Sequence, residues 1–165
     1  MRRVLSILVD NTAGVLSRVS GLFSRRGYNI KSLTVGETAD PNYSRMTVVC
    51  SGDDVVLEQI TRQLRKLVDV KDIKVLEPEE SVSRELIMVK MRVEESMRES
   101  VLSLTNIFRA KIVDVGRDSM IVELTGTESK LEAFMSLLIG SYEILEVART
   151  GITGLSRGSG DVRYL

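Results

Sequence analysis

The chain lacks histidine and tryptophan altogether, and it holds one cysteine, two prolines and no net charge. Without histidine there is no ready general base near neutral pH, no usual partner for a nucleophilic Ser or Cys, and none of the commonest zinc ligand. The lone Cys50 cannot close a disulfide within the chain, which fits a reducing compartment. Its place in Thr47-Val48-Val49-Cys50-Ser51 reads as a buried small residue of a strand rather than a reactive thiol. Lys and Arg total 23, as do Asp and Glu, so no overall field draws the molecule to nucleic acid or to an anionic membrane. No apolar run is long enough to cross a bilayer. Met1-Arg2-Arg3 leads directly into a strand pattern, without the apolar segment of a secretory signal, so a cytoplasmic location is expected.

What is present is ordinary for a packed domain: 43% of the 165 residues are hydrophobic and 28% are charged. Strands are expected over 3–10, 30–37, 45–51 and 70–76 and helices over 14–26 and 53–67, in the order βαββαβ. Val15, Leu16, Val19, Leu22 and Phe23 form a one-sided apolar stripe on the first helix, and Leu57, Ile60, Leu64 and Leu67 repeat it on the second. A charged stretch around Pro78, Glu77 to Ser81, reads as a linker. Strands over 86–93, 111–116, 119–125 and 144–148 and helices over 97–108 and 128–138 then give the same order again. Ile107-Phe108 matches Leu22-Phe23, and Val115-Gly116 matches Val35-Gly36. The expected fold class is α+β, two ferredoxin-like βαββαβ domains, with 1–77 as the first domain, 78–83 as linker and 84–165 as the second domain with a Gly-rich tail. Domains this small bury little core, so packing against a partner is expected.

The halves differ at the first strand-helix junction. The second enters its helix through Ser96 and Glu99, which have the spacing of a capping box. The first has Asp10-Asn11-Thr12-Ala13-Gly14, and Asn29 precedes its next strand. One reading is that Asp10, Asn11 or Thr12 caps the helix while Gly14 permits tight helix-sheet packing. The other is a ligand site: backbone N–H groups at the helix start suit a carboxylate, Gly14 leaves the approach open, and the amides of Asn11 and Asn29 offer donors and acceptors without charge.

The segments DNTAGVLSRVSGLFSRRGYNIKSLTVGET, SRMTVVCSGDD, LEQITRQLRKLVDVKDI, IFRAKIVDV, ELTGTESKLEAF and EVARTGITGLSRG closely resemble, in order and over nearly the whole chain, the regulatory small subunit of acetohydroxyacid (acetolactate) synthase. The resemblance implies that the N-terminal domain is an ACT domain. It also implies a subunit without catalytic residues of its own, which binds and activates a catalytic large subunit. Thiamine diphosphate, Mg and FAD are then expected on that partner, with no cofactor in this chain. It implies feedback inhibition by a branched-chain amino acid, valine first, in branched-chain amino acid biosynthesis. Carried over, the effector site comprises Asn11, Ala13, Gly14, Val15 and Leu16 of one chain, with Asn29 and Ile30 across a homodimer formed by ACT domains. The alternative is a stand-alone ACT-type amino-acid sensor acting on another enzyme.

Two other signals mislead. Gly154-Leu155-Ser156-Arg157-Gly158 satisfies the G-x-S-x-G pattern, but without histidine it cannot be a hydrolase elbow; it reads as a flexible tail or as a segment ordered by the catalytic partner. The βαββαβ order also suits RNA-recognition modules, yet Phe23, Phe108 and Phe134 lie on helix stripes and no expected strand carries a stacking ring.

Overall fold

Leu5, Ile7 and Val9, two apart on β1 (Arg2–Asp10), fill one side of an antiparallel sheet. In the computed structural model, which describes residues 2–160, this strand is an inner member of the first of two units, residues 2–83 with 152–160. The strand order is β2 (Ile30–Glu37), β3 (Tyr43–Ser51), β1 and β4 (Val70–Val75). Two helices, α1 (Val15–Arg25) and α2 (Asp54–Leu64), bring Val15, Val19, Leu22, Phe23, Ile60 and Leu64 onto Leu5 and Ile7. Cys50 is 1% exposed in that core, as its strand context implies, and burial pushes its thiol pKa up.

The second unit, residues 84–151, repeats the plan. Most of β5 (Ser81–Arg92) lies in it, with β6 (Lys111–Val115), β7 (Ser119–Gly126) and β8 (Ile144–Arg149) in the order β6-β7-β5-β8. The helices are α3 (Arg98–Phe108) and α4 (Glu128–Ser141), and Phe108 meets Phe134 with ring centroids 5.1 Å apart. The expected capping box does not form. Glu95–Met97 make a single 3₁₀ turn that runs into α3, so Ser96 lies inside a helical turn and no side chain caps either element.

Within the expected linker around Pro78 the chain makes a hydrogen-bonded turn: Glu80 N–H and the Ser81 hydroxyl both donate to the Glu77 carbonyl, at 3.2 and 2.5 Å. The departure from the expected division is in the tail. Residues 152–160 belong to the first unit, and β9 (Thr153–Ser156) pairs with β5. Ile152 is 6% exposed; its N–H donates to Ser32 Oγ and its carbonyl accepts from Thr34 Oγ1, both at 3.0 Å. Gly154 makes this docking possible, since a Cβ there would stand 3.0 Å from the Val82 carbonyl and 3.1 Å from Leu76. Residues 161–165, expected with the second domain, lie outside the described residues.

Docking of Ile152 should therefore stabilise the first unit. Ile152→Ala is expected to destabilise it by about 2 kcal/mol, the lower end for a buried large-to-Ala change. Because Cys50 reacts only when that core opens, its labelling rate by a thiol reagent should rise at least about tenfold. Ile107→Ala, at a site 74% exposed, should leave it unchanged. An unaltered rate in Ile152→Ala would show that the segment does not brace this sheet.

Candidate functional site

At the end of β1 the backbone is pinned twice. Asp10 N–H donates to the Asp69 carbonyl at 2.8 Å and Asn11 N–H to the Asn42 carbonyl at 2.7 Å. The Asn11 amide nitrogen then spends both hydrogens, on Glu37 Oε1 at 3.0 Å and on the Pro41 carbonyl at 2.9 Å. Its side chain can therefore offer a ligand only the Oδ1 acceptor, beside a carboxylate, which suits an ammonium group.

Gly14 itself is the N-cap residue of α1, at φ 85° and ψ −7°, and no side chain caps the helix. By contrast, Asp53 caps α2 by accepting from Val56 N–H at 2.9 Å. The capping reading of the first turn thus fails. The Asp10 carboxylate pairs with Lys71 at 2.9 Å, and Asn11 is engaged as described. The tight-packing reading fails too, because Gly14 is exposed and a Cβ there would meet only the Arg18 guanidinium, 2.9 Å from Nη1. What is left is an uncapped, open helix start in a left-handed turn that disfavours any side chain.

The other expected site residues divide. Ala13 is exposed on the same turn, and Leu16 is 45% exposed next to it. Val15, expected in a ligand pocket, is only 3% exposed and belongs to the core, because it starts the apolar stripe of α1. Asn29 is exposed, and Ile30 is half-buried against the same core. These two sit at the opposite end of the sheet from the turn. Ile30 registers with Cys50 and through it with Arg3, whereas Glu37, which holds Asn11, registers with Ser44 and through it with Val9. The gap is roughly 20 Å at about 3.3 Å per strand residue.

Charges around the turn were not readable from spacing. Arg18 Nε donates to Asp69 Oδ2 at 2.7 Å, with the Asp69 side chain 11% exposed and that of Arg18 48% exposed. The Arg18 hydrogen bond holds the Asp69 carboxyl below its usual range; burial opposes this, and the charges of Arg18 and Lys71 assist it. Arg18 and Lys71 are raised in turn, chiefly by their bonds to Asp69 and Asp10. The one sequence cue was Arg18 lying four residues after Gly14, on the same helix face.

Residues 5–72 match the model of the AHAS small subunit-like ACT domain, and residues 84–158 match that of the small subunit of acetolactate synthase. The chain belongs to the acetolactate synthase small-subunit family. Within that family, the probable acetolactate synthase small subunit of Methanothermobacter thermautotrophicus is 52% identical, covering 94% of this chain and 93% of its own. The isozyme 3 small subunit of Escherichia coli is 51% identical, over 96% and 97% of the two chains. The crystal structure of the Thermotoga maritima acetolactate synthase small subunit superposes with a TM-score of 0.88 at 43% identity, covering 96% of this chain and 99% of that one. Among the described residues no helix is long and apolar enough to cross a membrane, and no group of three or more His, Cys, Asp or Glu side chains is placed to hold a metal ion.

The Arg18–Asp69 pair has a pH signature. A carboxyl whose folded pKa is depressed contributes stability that is complete above the unfolded value, about 3.9 for Asp, and is lost as pH falls through the folded value. Asp69→Asn should unfold at lower denaturant concentration than the parent protein at pH 7, with the difference narrowing only below about pH 4. A difference that persists unchanged to acid pH would mean that Asp69 acts by shape rather than by charge.

Proposed function

We propose that this chain is the regulatory, non-catalytic subunit of an acetolactate synthase, which senses a branched-chain amino acid, valine first, and activates a separate catalytic subunit. The observation that carries the reading is the Gly14 turn: an exposed helix start that no side chain caps, in a conformation kept open by glycine. The positive end of α1, which no side chain caps, suits the effector carboxylate, and Asn11 Oδ1 with Glu37 suits its ammonium. Leu16 is the apolar wall available in this chain. Because Asn29 and Ile30 stand at the far end of the same sheet, they reach a ligand at Gly14 only from a second copy. The effector therefore bridges two chains of a homodimer. Thiamine diphosphate, Mg and FAD belong, in this reading, to the catalytic subunit, and the site chemistry here is recognition alone. The setting is cytoplasmic.

A stand-alone sensor acting on another enzyme is the second reading, and co-purification with the acetolactate synthase large subunit separates the two. In the reconstituted complex, Gly14→Asp should abolish inhibition by valine while activation persists. The new carboxylate would stand where the effector's is placed, against Arg18 and at the start of α1. Retained inhibition in a folded Gly14→Asp protein would sink the site.

A ligand shared by two chains must also favour their association. Sedimentation of the free subunit should show a tighter dimer with saturating valine than without it. An unchanged dissociation constant would mean that valine does not bridge the copies.

A further inference from the structure

The geometry points to Arg18 as the residue that recognises the effector's carboxylate by charge, with Asp69 as its positioning residue. This rests on the effector reading of the Gly14 turn and adds a group that neither the turn nor the asparagines provide. Backbone N–H groups present only dipoles, whereas a guanidinium adds a full charge against a carboxylate that an amide analogue lacks, and the turn itself contributes none.

Arg18 has the required arrangement. It lies one helical turn after Gly14, and its backbone N–H donates to the Gly14 carbonyl at 3.0 Å, so the side chain starts directly beyond the turn. Its guanidinium folds back over the glycine, with Nη1 2.9 Å from where a Cβ would stand. Only Nε is committed, to Asp69 Oδ2; among the described residues the Nη groups carry no hydrogen bond. A guanidinium held at one edge keeps its outer donors for a second carboxylate, which is the geometry of bidentate recognition. Asp69 is itself fixed, since its carbonyl accepts from Asp10 N–H and its side chain is 11% exposed. Of the other acids at this end, Asp10 is paired with Lys71 and Glu37 accepts from Asn11, and the first turn of α1 contains no acidic residue to compete.

Binding of valine and of valinamide, which lacks the carboxylate, is to be measured by titration calorimetry on the full chain. Arg18→Met alone would strand the Asp69 carboxylate, so the test variant is Arg18→Met combined with Asp69→Asn, with Arg18→Lys as a second variant; protection of Cys50 from labelling checks folding. The native chain should prefer valine. The double variant should bind valine about ten- to a hundredfold more weakly, the span of a charge-assisted pair, with its preference for valine over valinamide cut by the same factor to what the helix start alone supplies. Arg18→Lys should fall between them, keeping charge without the fork. If the double variant keeps the native preference while Gly14→Asp abolishes binding, the site stands and Arg18 is not its carboxylate ligand. If neither change affects valine binding, the effector reading of the turn fails with it.

Discussion

Nine consecutive antiparallel pairs, from Arg2 with Ser51 to Asp10 with Tyr43, lock β1 against β3, and the remaining geometry of the first unit follows from that register. It carries β1 to the end of the sheet where Glu37 and Pro41 hold Asn11, and α1 then starts at that end and runs back. The same pairing sends Ile30 to the opposite end, opposite Cys50. Slipping β1 by one residue would turn Leu5, Ile7 and Val9 out of the core, so the register is held by the whole apolar face. One chain thus holds the Gly14 turn and the Asn29–Ile30 pair at opposite ends of the same sheet.

Gly14 shows what the first unit gives up at this junction. A side-chain cap stabilises a helix by about 0.5–2 kcal/mol, and α2 has one in Asp53. The first helix forgoes it, and its Asp10 and Asn11 make bonds that fix the strand end instead. The second unit, built to the same plan, enters α3 through a 3₁₀ turn and has no left-handed glycine there. The duplicated fold therefore supplies two scaffolds, of which one has an open helix start in a glycine turn.

Much of this could be read from residue order because the deciding signals were local. The apolar stripes of α1 and α2, the doubled βαββαβ order and the buried Cys50 all follow from periodicity within single elements. Where the outcome depended on residues far apart, the sequence was mute. Arg18 meets Asp69 across 51 positions, and Ile152 meets Thr34 across 118. Around Pro78, charged and proline-containing composition marks a linker but does not reveal that Ser81 folds back onto Glu77. Val15 belongs both to the expected effector set and to the apolar stripe of α1, and the stripe is the signal that accounts for its burial in the core.

If the Gly14 turn holds a branched-chain amino acid, the energetics of that turn alone argue for a site shared with a second copy. Burying a branched side chain contributes roughly 1.5–3 kcal/mol. A carboxylate at a partly buried helix start adds up to about 2. Together these reach roughly 3.5–5 kcal/mol, the scale of millimolar binding. Leu16, 45% exposed, covers only one side of such a side chain, and Val15 is unavailable to complete the wall. Tighter sensing has to draw on surfaces that lie beyond the turn, and Ile30, half-buried at the far end of the sheet, is the apolar residue beside Asn29 that a second copy would bring. Effector affinity and subunit association then become one quantity. A chain that formed its full site alone would sense the metabolite equally well as a monomer, and its ligand would have no thermodynamic hold on the assembly.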